Sequence, residues 1–134
     1  MITHTDRFKA VVSDDDISNL TRWYDTILSN GEDTGLGWEF YGSPEENLDV
    51  YERCSPITYV DKVTTPIFFI HGGKDRLVPI EDAEEMVTGI VENTDTGVAF
   101  VRYPGEGHGF SNYKNFIDRT YRMINWFDSN LMEV

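Results

Sequence analysis

Apolar and polar positions along the chain alternate in a way that predicts strands and helices in turn. Phe8-Lys9-Ala10-Val11-Val12-Ser13 predicts a short buried strand ending at the acidic turn Asp14-Asp15-Asp16. Ile17, Leu20, Tyr24, Ile27 and Leu28 then recur at helical spacing, with Asp16 placed to cap the helix and Asn30-Gly31 to end it. Residues 31–43 hold four glycines with Trp38, Phe40 and Tyr41, a loop without periodicity. Ser43-Pro44-Glu45-Glu46 follows the pattern of a helix start, with serine at the cap, proline at the first helical position and glutamate at the third. That helix is expected to run to about Cys54.

The second half repeats the rhythm. Pro66-Ile67-Phe68-Phe69-Ile70 is apolar throughout, as expected of a strand covered on both faces of a parallel sheet. Ile80, Ala83, Val87, Ile90 and Val91 form one stripe of a helix over 81–92, whose acidic residues, Glu81, Asp82, Glu84 and Glu85, read as a solvated face. Val98-Ala99-Phe100-Val101-Arg102-Tyr103 predicts the third strand, and a helix over about 112–131 follows with Ile117, Tyr121, Ile124, Phe127 and Leu131 on one face. Strand and helix in strict alternation predict an α/β fold, a three-layer parallel sheet.

Composition changes this picture little. A length of 134 residues, with 40% hydrophobic and 13% aromatic residues, suits one packed domain. The net charge of −13 argues against nucleic acid and anionic membranes as partners, because both require basic patches. It reads as a solvated acidic surface. Cys54 has no second cysteine to pair with, so it is expected to be a packed thiol. A reducing, cytoplasmic location follows, since no signal-peptide core or apolar run of membrane-spanning length is present.

The candidate chemistry lies in two loops. Asp75 stands in His71-Gly72-Gly73-Lys74-Asp75-Arg76-Leu77-Val78-Pro79, just past the second strand, and His108 stands in Gly105-Glu106-Gly107-His108-Gly109-Phe110, just past the third. An acid and then a histidine on loops after parallel strands is the chain order of a Ser-Asp-His triad. The acid would fix the imidazole tautomer, and the neighbouring glycines would let the ring reach a nucleophile. Neither a metal nor a cofactor is expected: His71 suits a hydrogen bond to loop backbone, and no second ligand stands at zinc-like spacing. None of the seven serines lies in Gly-x-Ser-x-Gly, the turn that presents a nucleophilic hydroxyl.

Arg7-Phe8-Lys9-Ala10-Val11-Val12, Ser55-Pro56-Ile57-Thr58-Tyr59-Val60, Thr65-Pro66, His71-Gly72 through Pro79-Ile80-Glu81, and Arg102-Tyr103-Pro104-Gly105-Glu106-Gly107-His108-Gly109-Phe110 occur in register with one family. In these motifs the chain resembles the prolyl oligopeptidase family of serine peptidases, in its acylaminoacyl-peptidase and dipeptidyl-peptidase branch. The resemblance implies that residues 1–134 are the carboxyl-terminal half of an α/β-hydrolase (peptidase) catalytic domain, with Asp75 and His108 as triad acid and base. It also implies that the nucleophile belongs to an upstream half, that peptides or acyl-peptides are the substrates, and that Arg76 and Val78 are candidate substrate contacts. Such a segment is expected to be inactive alone and prone to self-association along the strand at residues 8–13. Two features depart from the family pattern: Leu77 stands where relatives often carry arginine, and Asp14-Asp15-Asp16 is unusually acidic. A general esterase of the same fold, and a non-catalytic fragment or pseudoenzyme acting as a binding module, are the alternatives.

Overall fold

The computed structural model describes residues 1–31 and 42–132. Three parallel strands form the sheet: β1 (Val11–Asp14), β2 (Ile67–Gly72) and β3 (Val98–Tyr103), in the order β1-β2-β3. Val11 pairs with Ile67 and Ile67 with Val98, and the register continues to Gly72 opposite Tyr103. Four helices, α1 (Leu20–Ser29), α2 (Leu48–Cys54), α3 (Ile80–Asn93) and α4 (Tyr113–Leu131), and a 3-10 segment (Pro56–Lys62) complete the described residues.

Because side chains alternate across a strand, β2 feeds two cores. Ile67 and Phe69 pack with Ala83, Met86 and Ile90 of α3, whereas Phe68 and Ile70 join Tyr103 against Met123 and Trp126 of α4. Every residue of β2 is buried, as its unbroken apolar run predicts. The result is the expected three layers, helix on sheet on helix. Among the described residues no helix is long and apolar enough to cross a membrane.

Several expectations are corrected. Strand β1 lies at the sheet edge, as expected of this segment, but it starts at Val11 rather than Phe8, which is 40% exposed, and its side chains are only half-buried rather than buried. Helix α1 is capped by the Asn19 side chain, which accepts the Arg22 N–H at 3.1 Å, while Asp16 instead accepts the Ser13 hydroxyl at 2.6 Å. Ser43 and Glu46 make one half of the expected capping box, Ser43 N–H to Glu46 Oε2 at 3.0 Å, but around a turn; α2 begins only at Leu48. Cys54 is exposed rather than packed, because it ends a short helix whose buried contacts come from Tyr51. Helix α4 is rotated from the expected stripe: Tyr121, Ile124 and Leu131 are exposed, and Met123 and Trp126 face the sheet. Arg119 on the same helix lies over the Phe110 ring at 4.6 Å and bonds Asp14 at 2.6 Å. Trp38, Phe40 and Tyr41 lie outside the described residues.

Candidate active site

The loops after β2 and β3 lie against each other. Gly73 N–H donates to Tyr103 O at 2.8 Å and Lys74 N–H to Glu106 O at 2.7 Å, extending the strand pairing past the sheet. Gly72 makes this approach possible, since a Cβ there would run into the carbonyl oxygen of Gly107. The Asp75 side chain is fully buried in this seam. Its Oδ1 accepts the backbone N–H groups of Leu77 at 2.8 Å and Val78 at 3.0 Å, while Oδ2 accepts His108 Nδ1–H at 2.9 Å. Two fixed donors aim the carboxylate, and the carboxylate sets the imidazole tautomer. His71, buried beneath, donates from Nε2 to Val78 O at 3.1 Å, the backbone bond its position suggested.

Glu106 braces the histidine loop from below. Buried itself, it accepts from Ser111 N–H at 2.8 Å, Asn112 N–H at 3.3 Å and the Asn115 amide at 2.6 Å, which ties the loop to the first turn of α4. The Asn115 amide, and then the Ser111 N–H, hold its carboxyl below the usual glutamate range. Gly109 adopts φ 88° where the loop turns out of the seam.

The His108 ring is 45% exposed and makes no hydrogen bond through Nε2 among the described residues. The Asp75 hydrogen bond raises its pKa above the ordinary histidine value, partial burial opposes this, and the charges of Asp75, Asp15 and Asp14 add to it. Burial pushes the Asp14 carboxyl up against the pull of Arg119. Asp15 approaches the ring from β1, its Oδ2 3.7 Å from His108 Nδ1. Ligand-capable atoms of Asp15, Asp75 and His108 all lie within 4.8 Å of one another, a spacing that a cation could bridge.

Asp75 and His108 are thus brought together from positions 33 residues apart. Arg76 is exposed beside them, and its carbonyl accepts the Asn30 side-chain amide. Val78 is 3% exposed with both backbone groups taken inside the loop, so its side chain offers no surface to a substrate. Leu77 O accepts Trp23 Nε1–H at 3.0 Å, anchoring the loop to α1. Five serine hydroxyls, those of Ser13, Ser18, Ser29, Ser55 and Ser111, are donated to partners other than His108. Sequence reasoning missed Glu106 as the brace and Asp15 as a neighbour of the ring; the acidic run at 14–16 was the only signal for the latter.

A parallel sheet layered between helices, with chemistry collected at the carboxyl ends of its strands, is the carboxyl-terminal part of an α/β-hydrolase fold. The sequence profile of the prolyl oligopeptidase family matches residues 1–133, and the chain belongs to that family. It is 28% identical over 137 residues to an uncharacterized peptidase, YuxL, of Bacillus subtilis, an alignment covering 98% of this chain and 20% of that protein. Over 66 residues it is 34% identical to the esterase LipC of Mycobacterium tuberculosis, covering 49% of this chain and 16% of that one. The acylaminoacyl peptidase of Pyrococcus horikoshii superposes with a TM-score of 0.85 at 22% identity, over 100% of this chain and 22% of its own. The chain therefore spans about a fifth of the length of these proteins.

Proposed function

We propose that this chain supplies the acid and base of a serine peptidase that cleaves peptides or acyl-peptides. The observation that carries the reading is the 2.9 Å contact between His108 Nδ1 and a buried Asp75 carboxylate already aimed by two backbone N–H groups. With Nδ1–H donated to Asp75, Nε2 is the free basic nitrogen. It takes the proton of a serine hydroxyl as that oxygen attacks the carbonyl, then returns it to the departing amine; water repeats the sequence to release the acid. Asp75 stays ionised throughout and stabilises the imidazolium. The serine and its oxyanion donors come from a segment outside these 134 residues, so residues 1–134 act as one part of a catalytic domain. Arg76, exposed beside the pair, is the remaining candidate for a substrate contact. The lone Cys54 suits a cytoplasmic setting. Similarity to the esterase LipC favours ester hydrolysis as the second reading.

The test begins with the coding DNA next to residue 1, read for Gly-x-Ser-x-Gly, and with expression of the longer product. Acyl-peptide anilides and p-nitrophenyl esters are assayed with the wild type, His108→Ala and Asp75→Asn. Each variant is expected to lose on the order of 10⁴-fold or more in kcat. Turnover of esters alone favours the esterase; unchanged kcat in His108→Ala refutes both. The 134-residue chain alone is expected to resist fluorophosphonate labelling, and if no nucleophile segment is encoded beside it, a binding module replaces the hydrolase.

A further inference from the structure

Of the acidic run after β1, Asp14 is held by Arg119 and Asp16 by the Ser13 hydroxyl, but Asp15 faces the histidine. Among the described residues Asp15 is the one non-glycine position with positive φ, 54°, a conformation that aspartate and asparagine tolerate better than most residues. Its N–H donates to Ile70 O at 3.1 Å, so the turn is locked to the strand that leads to Asp75. The side chain is 14% exposed; Oδ1 is buried without a hydrogen-bond partner, and Oδ2 stands 3.7 Å from His108 Nδ1. That distance is too long for a hydrogen bond while Asp75 holds Nδ1 at 2.9 Å, yet close enough for a carboxylate to attract an imidazolium and not a neutral ring.

We propose that Asp15 is a second positioning carboxylate for His108, adding its charge to the imidazolium and able to accept Nδ1–H when Asp75 cannot. No bond is made or broken by Asp15. Resting on the reading of His108 as the base, this assigns the acidic turn a task in tuning that base. The other titratable groups near the ring have partners of their own: Asp14 pairs with Arg119 of α4 while still adding its charge to the ring, Glu106 is held by the first turn of α4, and His71 of β2 donates to Val78 O with its Nε2 3.7 Å from Asp75 Oδ2.

The imidazole resonances of the 134-residue chain, titrated in EDTA to remove bridging cations, test this without a nucleophile. Wild type, Asp15→Asn, Asp75→Asn and the double variant are compared, with His108→Gln assigning the signal. Asparagine keeps the shape and tolerance for positive φ, so the turn is retained. The His108 midpoint is expected to fall in the order wild type, Asp15→Asn, Asp75→Asn, double variant. Coincidence of Asp15→Asn with wild type, together with coincidence of the double variant with Asp75→Asn, overturns the proposal and leaves the Asp75–His108 pair intact. If Asp75→Asn leaves the midpoint unmoved, the acid–base pair itself fails, whatever Asp15 does.

Discussion

Removal of Asp82 leaves backbone donors at the entry to α1 without an acceptor. It sits in the first turn of α3 with a fully buried side chain, and Oδ2 accepts the backbone N–H groups of Ser18 and Asn19, both at 3.1 Å. Its Oδ1 meets Arg22 Nη1 at 3.0 Å. Asp82→Ala strands two N–H groups at the entry to α1, each costing about 1–3 kcal/mol when left unpaired in the interior. The lost ion pair adds less than a fully buried one would, because Arg22 is 34% exposed and keeps Glu85 at 2.6 Å. Ser18 is buried but Asn19 only half-buried, which keeps the cost of its N–H near about 1 kcal/mol; the sum is about 2–4 kcal/mol, or roughly 7–14 °C in melting temperature for a domain of this size. Asp82→Asn retains an oxygen for the N–H groups and should lose about 1 kcal/mol. Urea unfolding followed by circular dichroism measures both, with exposed Glu84→Ala, expected within about 0.5 kcal/mol of wild type, as reference. If Asp82→Ala is no more destabilising than Glu84→Ala, the buried contacts do not hold α3 to the turn after β1.

Two further outcomes are expected. Glu106 has its carboxyl held below the usual range by the Asn115 amide and α4 N–H groups, so its contribution is present above the unfolded glutamate pKa and is lost as pH falls through the lower folded value; Glu106→Gln should flatten that acid-side loss in melts run from neutral to acidic pH. Gly72→Ala drives a methyl into the Gly107 carbonyl and should cost about 2 kcal/mol, with loss of the downfield His108 Nδ1–H resonance, a signal that must persist if the seam tolerates the methyl.

What could be read from the sequence was whatever is local. The unbroken run at 66–70 specified a strand buried on both faces, and two glycine-bearing loops at the ends of successive strands pointed to Asp75 and His108. Asp82 was misread because a glutamate-rich first turn looks solvated from within its own helix; the groups that bury it, Ser18 and Asn19, are 64 and 63 positions away. Helix α4 was misread because it carries apolar residues on two sides, and periodicity does not say which side meets the sheet. The side that does so is set by tertiary contacts: Met123 and Trp126 pack on Phe68 and Ile70, and Arg119 reaches Asp14, 105 residues upstream. Asp15 could not be placed for the same reason, since its approach to His108 depends on strand pairing.

Strand register therefore determines more of the site than either motif does. Asp14 lies opposite Ile70 and Gly72 opposite Tyr103, so all three strands end at nearly the same level and their loops open on one edge. A one-residue slip of β2 would exchange Ile67 and Phe69 with Phe68 and Ile70 between two differently shaped cores, reversing every side chain of the central strand. It would also move Gly72 away from Gly107, the contact that lets the two loops close. The central strand's two cores and the missing Cβ of Gly72 thus enforce the same register, and that register places the Asp75 carboxylate 2.9 Å from the imidazole, with Asp15 waiting 3.7 Å away.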